Sequence, residues 1–316
     1  MGLGLLSESR RKKKTATAPR AHTRDHNVGL PARRAAVALL GAVLTDAQPL
    51  DEALVSSRGA RLMDSMAVRD RALARAIAST TLRRKGQLDA VLDRVLDKGL
   101  PKKAGPLHEI LLTGACQILF LETPDHAAID LAVTLAKQDR KARHFDKLVN
   151  AVMRKVATNG PDMVSGQDAE HLNTPGWLWK RWAKFYGGET ARRIAGAHMV
   201  EAALDLTVKN DPEGWAEKLG GVTLASGSVR LAAGGRVENL QGFDTGDWWV
   251  QDAAAAQPAR LLGDIAGKQV ADLCAAPGGK TAQLAHAGAK VTAVDASDAR
   301  LDRLRDNLDR LGFDAT

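Results

Sequence analysis

Two segments hold the residue types with the most chemistry in this chain: Val270-Ala-Asp-Leu-Cys-Ala-Ala-Pro-Gly-Gly-Lys-Thr281 and Lys290-Val-Thr-Ala-Val-Asp295. Gly278 and Gly279 lack a Cβ, so the backbone there is free to take positive φ and admit a ligand close to the peptide groups. Pro277 stiffens the same turn. A helix opening near Lys280 turns its unpaired N–H groups and positive dipole end toward whatever fills the loop, which suits an anionic or carboxylate-bearing ligand. Asp295 follows Asp272 by 23 residues, about the separation at which an acid accepts hydrogen bonds from ribose hydroxyls. An adenosine-containing cofactor is the expected ligand.

Three cofactor readings compete on these residues. A dinucleotide site wants Gly-x-Gly-x-x-Gly against a pyrophosphate, whereas this turn reads Cys274-Ala-Ala-Pro-Gly-Gly279. A phosphate-binding P-loop wants Gly-x-x-x-x-Gly-Lys-Ser/Thr; Gly279-Lys280-Thr281 supplies its second half, but Cys274 occupies the leading glycine position. S-adenosylmethionine is the third, with a ribose for Asp295, a charged methionine end for the loop and no phosphate.

The elements that must position these residues read as strand, loop, helix, strand, half of a nucleotide-binding α/β unit. Ser297 is a suitable N-cap for a helix running to Leu311, with Leu301, Leu304, Leu308 and Leu311 on one face and Arg300 on its first turn. Upstream, Gln251 and Asp252 lead into an alanine-rich helix expected over Ala253–Leu262. Before that, strands are expected at Ala203–Lys209, Val222–Leu224, Ser228–Leu231 and Trp248–Val250, with a short helix at Trp215–Leu219.

All six tryptophans fall in the second half of the chain. Trp177, Trp179 and Trp182, with Phe185 and Tyr186, are expected to pack their helix inward while Lys180, Arg181 and Lys184 snorkel; stacking on bases is the competing use of the same pattern. Residues 158–172, with Asn159-Gly-Pro161 and Ser165-Gly166, read as a linker. From Pro31 to Ala157 the chain reads as helix after helix: Ala32–Leu44, Val68–Leu82, Leu88–Leu96, an apolar central helix at Leu107–Leu121, Ala127–Ala136 capped by Asp125, and His144–Val156. Residues 1–27, with Arg10-Arg-Lys-Lys-Lys14, read as a disordered basic tail.

The net charge of +8 is unevenly placed. Residues 1–157 carry 28 Lys and Arg against 16 Asp and Glu, while residues 158–316 carry 17 against 21. The basic half is the candidate for contact with a polyanion, nucleic acid being the usual one. No apolar run approaches the roughly 18 residues that cross a bilayer, and Met1-Gly-Leu-Gly-Leu-Leu6 is too short for a signal-peptide core. A cytoplasmic protein is expected. Cys116 and Cys274 are expected to be free thiols, Cys116 as a small core residue and Cys274 as a small residue under the tight turn. The eight histidines lack a zinc-like spacing, so no metal is expected.

Asp272–Thr281 resembles the cofactor motif of the RsmB/Sun/NOP-type (Fmu) RNA cytosine-5 methyltransferases. Trp249-Val-Gln-Asp-Ala-Ala-Ala-Ala-Gln257 resembles that family's Val-Gln-Asp-x-Ser-Ala-Gln signature, with Ala255 where the family carries serine. Thr123-Pro-Asp-His-Ala-Ala128 and Lys147-Leu-Val-Asn-Ala-Val-Met-Arg154 resemble the NusB-like RNA-binding domain at the amino end of the same family. The resemblance implies a multidomain chain: an all-α NusB-like domain over residues 28–157, a small α+β, RNA-recognition-like subdomain over residues 173–250, and the first half of a Rossmann-like class I methyltransferase domain over residues 251–316. It implies S-adenosyl-L-methionine held by Cys274, Ala275, Ala276, Pro277, Gly278, Gly279, Lys280, Asp295 and Arg300, and a ribosomal RNA substrate; the resemblance leaves the oligomeric state open, with a monomer expected.

The chemistry so implied is methyl transfer to carbon five of cytosine after a cysteine thiolate adds to carbon six. The family's nucleophile and second cysteine come from a Thr-Cys and a Pro-Cys motif, expected beyond Thr316, so a truncated or incompletely recorded methyltransferase is expected. The alternative is a noncatalytic NusB-type RNA-binding protein with a vestigial cofactor domain.

Overall fold

Leu107–Phe120 is apolar around nearly its whole circumference, and a helix with no polar face must be surrounded. The computed structural model, which describes residues 29–232 and 236–316, puts that helix at the centre of the amino-terminal of two compact units, which end and begin at Met199 and Val200. The basic tail expected over residues 1–27 lies outside the described residues.

The first unit is helical throughout: α1 Leu30–Leu44, α2 Leu50–Ser56, α3 Arg58–Asp64, α4 Val68–Arg83, α5 Lys85–Val95, α6 Leu107–Phe120, α7 Asp125–Gln138, α8 Asp146–Ser165, α9 Ala169–Leu172, α10 Gly176–Tyr186 and α11 Gly188–His198. Its core is two clusters. One gathers Leu88, Leu92, Ile110, Leu111, Leu112, Leu131, Val149, Val152 and Met153 from α5 to α8; the other joins α1, α3 and α4 through Leu39, Met63, Ala74 and Ile77. Gly114 lets α6 and α8 approach: a Cβ there would stand 2.6 Å from the Met153 sulfur. Cys116 is fully buried in this core, and desolvation pushes its thiol up to about 11.

The segment 158–172, expected as a linker, is largely helix, because α8 continues through Asn159-Gly-Pro161 to Ser165 and α9 follows. Gly160 is buried where a Cβ would meet the Leu119 side chain at 2.8 Å, so the residue that reads as a breaker serves as a packing gap. Asp125 is the first residue of α7, and the cap position belongs to Pro124. The aromatic helix packs inward only in part: no residue of α10 is fully buried, Trp179 and Trp182 are half-buried against α9 and α11, and Trp177, Phe185 and Tyr186 stand exposed.

The second unit runs β1 Leu204–Val208, α12 Pro212–Leu219, β2 Val222–Thr223, β3 Val229–Leu231, β4 Trp248–Val250, α13 Gln257–Arg260, β5 Gln269–Asp272, α14 Gly279–His286, β6 Lys290–Ala293 and α15 Asp298–Leu311. The first four strands form an antiparallel sheet in the order β2-β3-β1-β4. Register is pinned where Asp205 faces Arg230 across β1 and β3, the carboxylate accepting from Nε at 2.7 Å and Nη2 at 2.8 Å. One face of this sheet, Leu206, Val208, Val229, Leu231 and Trp248, packs with Ala216 of α12.

The expected helix over Ala253–Leu262 shrinks to α13. Asp252 Oδ1 accepts from the N–H groups of Ala254 and Ala255 at 2.8 and 3.2 Å, and Asp205 Oδ2 accepts from that of Ala253 at 3.0 Å. These side-chain bonds hold the alanines in turns in place of helix. The pair β5 and β6 is parallel, with Val270 opposite Val291 and Asp272 opposite Ala293. Beyond α15, Thr316 N donates to Val291 O at 2.9 Å and its carbonyl accepts from Ala293 N at 2.7 Å, which lays this segment alongside β6.

Candidate functional site

The loop between β5 and α14 is built by the strand register. Pairing of Asp272 with Ala293 brings the carboxyl ends of β5 and β6 level, and Val294 N donates to Asp272 O at 2.8 Å while Ala275 N donates to Val294 O at 3.0 Å. The chain then turns through Ala276 and Pro277, joined by a cis peptide bond, into Gly278 at φ 106°. That φ is strained for any residue with a Cβ, and a Cβ there would also touch Leu304 of α15 at 3.4 Å. Gly278 takes the N-cap position of α14, whose first-turn N–H groups face the loop.

Asp295 stands at the end of β6 with its side chain 5% exposed. Its Oδ2 accepts from Ala276 N at 3.1 Å and its Oδ1 from Ser297 N at 3.2 Å. Each oxygen retains a lone pair, since an ionised carboxylate offers about four acceptor sites. Arg300 Nη2 donates to Ala276 O at 2.7 Å and lies 3.9 Å from Asp295 Oδ2. Ser297 holds the cap position of α15 but makes no side-chain cap bond; the neighbouring carboxylate takes its N–H instead. Ala275 and Ala276 are buried beneath the turn. Lys280, on the first turn of α14, has no bonded partner among the described residues.

Cys274 departs from expectation. It is exposed, not tucked under the turn, because the loop is held from below by Asp272: this buried carboxylate accepts from Thr281 Oγ1 at 2.9 Å and, at a longer 3.4 Å, from Cys274 N. Leu273 and Val294 are also exposed beside it, an apolar rim at the strand ends.

Behind the loop, Trp249 and Gln251 of the signature segment form a second layer of contacts. Trp248 and Trp249 are adjacent on β4 and so face opposite ways. Trp248 closes the core against α12, while Trp249 joins Ala275, Ala276, Ala282, Leu304 and Leu308. The Trp249 indole N–H is shared between Gly279 O and Gln251 Oε1, both at 3.1 Å. Gln251 is buried; it accepts from Thr207 Oγ1 at 2.8 Å and donates to Gln283 Oε1 of α14 at 2.9 Å. The signature segment Trp249–Gln257 thus fixes α14 relative to the antiparallel sheet. Alternation along β4 is the sequence signal for Trp249; the long reach from Gln251 to Gln283 has none. Asn307 of α15 adds a bond to Pro277 O at 2.8 Å.

Two basic residues where α4 passes into α5 are engaged within the fold. Arg84 donates to Gln87 at 3.2 Å and lies over the Phe120 ring, and Lys85 pairs with Asp89. A cavity of about 660 Å³ in the same unit is lined by Arg34, Arg61, Glu109 and Ile110 among others, and none of its residues belongs to the loop motifs. Among the described residues no helix is long and apolar enough to cross a membrane.

Two family models match this sequence, the NusB family over residues 30–158 and the 16S rRNA methyltransferase RsmB/F family over residues 259–316. Three curated relatives share the name ribosomal RNA small subunit methyltransferase B. That of Xanthomonas campestris pv. campestris is 32% identical, covering 91% of this chain and 66% of the relative. That of Serratia proteamaculans is 31% identical over 90% and 68%, and that of Sodalis glossinidius 32% over 80% and 61%. The chain therefore spans between 61% and 68% of the length of these relatives. The solved structure PH0851 shares the fold, with a TM-score of 0.67 at 19% identity, covering 91% of this chain and 68% of its own. With its helical unit matched to NusB, its loop unit matched to RsmB/F, and relatives aligned across both, the chain belongs to the ribosomal RNA small subunit methyltransferase B family.

Proposed function

We propose that this protein is an S-adenosyl-L-methionine-dependent methyltransferase acting on carbon five of a cytosine in ribosomal RNA, a cytoplasmic substrate. The observation that carries the reading is the Asp295 carboxylate, fixed at the end of β6 by Ala276 and Ser297 N–H groups, with a free lone pair on each oxygen for a ribose diol. The rest of the loop fits the same ligand. The N-terminal end of α14 and the unpartnered Lys280 favour a carboxylate, Gly278 and Gly279 leave the backbone open to it, and Leu273 and Val294 offer an apolar wall for a purine. Arg300 braces the loop by its bond to Ala276 O and lies close enough to Asp295 to steady its charge. When bound, the cofactor supplies an electrophilic methyl group.

The NusB-like helical unit and the β2-β3-β1-β4 sheet, which we assign as an RNA-recognition-like subdomain, are the parts that position RNA in this reading. The β5-α14-β6 unit is the opening of the Rossmann-like domain. No described residue is assigned as the nucleophile. Cys116 is sealed in the helical core with a raised thiol, and Cys274 belongs to the cofactor loop.

Calorimetric titration with S-adenosylmethionine or its demethylated product tests the reading. Binding is expected, and Asp295→Ala should weaken it by roughly tenfold or more through loss of charge-assisted hydrogen bonds. An absence of binding to either ligand, with RNA binding retained, would favour a noncatalytic NusB-type RNA-binding protein.

A further inference from the structure

Helix α10 is anchored on one side and unpartnered on the other. Trp179 meets His171 edge-on at 4.9 Å and takes the Arg192 guanidinium over its ring at 5.7 Å, while Trp182 stacks on His198 at 5.4 Å. These contacts tie the helix to α9 and α11. At 100° per residue, Trp177, Arg181 and Phe185 fall in one row on the opposite face, flanked by Lys180 and Lys184. Trp177 is 68% exposed and Phe185 80% exposed, and Tyr186 packs edge-on against Phe185 at 4.9 Å. Lys180, Arg181 and Lys184 have no bonded partner among the described residues, and α10 itself carries no acidic residue.

Two large rings left in water beside three unpaired cations need a reason. We propose that this face of α10 is a stacking platform for single-stranded RNA, with bases on Trp177 and Phe185 and phosphates on Lys180, Arg181 and Lys184. The proposal rests on the reading of RNA as substrate and names where the strand runs. The rings sit eight residues apart, about 12 Å along the axis, so separate bases reach them. A duplex cannot use the rings, because its bases are already stacked. An apolar protein surface fits less well, since covering the rings would bury three cations without counter-charges. Single-stranded RNA satisfies both chemistries at once.

The test is fluorescence anisotropy of the full chain with a labelled single-stranded oligouridine and with an RNA duplex of equal length, over a salt series. Trp177→Ala and Phe185→Ala are each expected to weaken single-strand binding by roughly 5- to 150-fold, the worth of one base stack, with duplex binding and Tm unchanged. Trp177→Phe should restore most of the affinity. The combined variant Lys180→Gln, Arg181→Gln, Lys184→Gln should flatten the dependence of log affinity on log salt by about 2, from about 0.7 per phosphate contact. Wild-type binding that the alanine variants leave intact overturns the platform alone. Failure of the wild-type chain to bind either RNA overturns the RNA reading and the platform together. If Trp177→Ala instead abolishes sedimentation with anionic vesicles and leaves RNA binding untouched, the face is a lipid surface and the proposal fails.

Discussion

The two units solve the problem of holding a shape in different ways. The helical unit closes around Leu111, Leu112, Ile110 and Met153, whose register comes from how bulky residues interdigitate, and several of its buried polar groups, Thr81, Thr113 and Gln117, bond back to carbonyls of their own helices. The second unit divides its apolar residues among three small clusters and places buried polar groups between them: Asp205, Thr207, Gln251, Asp272 and Thr281. Small cores supply little orientation, so hydrogen bonds set the geometry of the loop. Packing makes a platform tolerant of surface change, whereas a polar network makes a site in which one lost acceptor misplaces a backbone segment.

That contrast can be broken most sharply in the helical core. Leu111→Ala should cost about 2 to 5 kcal/mol, by lost transfer energy and the cavity left behind, measured by urea unfolding; a cost under about 1 kcal/mol would show that the core is not packed as described. In the second unit, Asp205→Asn should lower Tm by about 5 to 10 °C, because the carboxylate, 1% exposed, accepts from Arg230 and from Ala253 N. The Arg230 hydrogen bonds, and then the Ala253 N–H, hold the Asp205 carboxyl below its usual value against the cost of burial. A depressed carboxyl adds stability that is present above its unfolded pKa, near 3.9, and is lost as pH falls through the folded value. The Tm gap between wild type and Asp205→Asn should therefore persist at neutral pH and close in acid. A gap that widens in acid would contradict the pairing.

Smaller effects sharpen the comparison. Gly278→Ala should cost about 1 to 3 kcal/mol, because alanine is strained at φ 106° and its methyl group meets Leu304; an unchanged Tm would mean that the turn has another conformation. Smallest is Asp168→Asn. Hydrogen bonding from Arg192 holds the Asp168 carboxyl down at about 2, but the pair is open to solvent. Screening there limits the change in Tm to about 3 °C or less, and a larger loss would show that α9 and α11 depend on this ion pair.

Much of this was legible in local pattern. The apolar circumference of α6, the leucine row of α15, and the alternation in β1 all follow from side-chain periods of 3.6 and 2. Helices α2 and α3 carry no such signal, because each is a seven-residue stretch too short for the apolar period to repeat. The linker expected at 158–172 misled because glycine and proline punctuate a free chain, whereas Gly160 is held against Leu119. The alanines after Asp252 favour helix in isolation, but side-chain acceptors from Asp252 and Asp205 captured their N–H groups first.

The sequence by itself determined that a glycine turn stands between an apolar run and a helix, that an acid ends the next run, and that a helical basic region precedes them. Those are consequences of neighbours within a few residues, where backbone freedom and periodicity decide the outcome. Only the tertiary structure decided that the Asp295 carboxylate grips Ala276 across 19 residues, that Gln251 reaches Gln283 across 32, and that Trp177 and Phe185 of α10 face outward while Trp179 and Trp182 do not. Each of these depends on which distant surface arrives first to bury a side chain or accept a proton, and no local pattern encodes that.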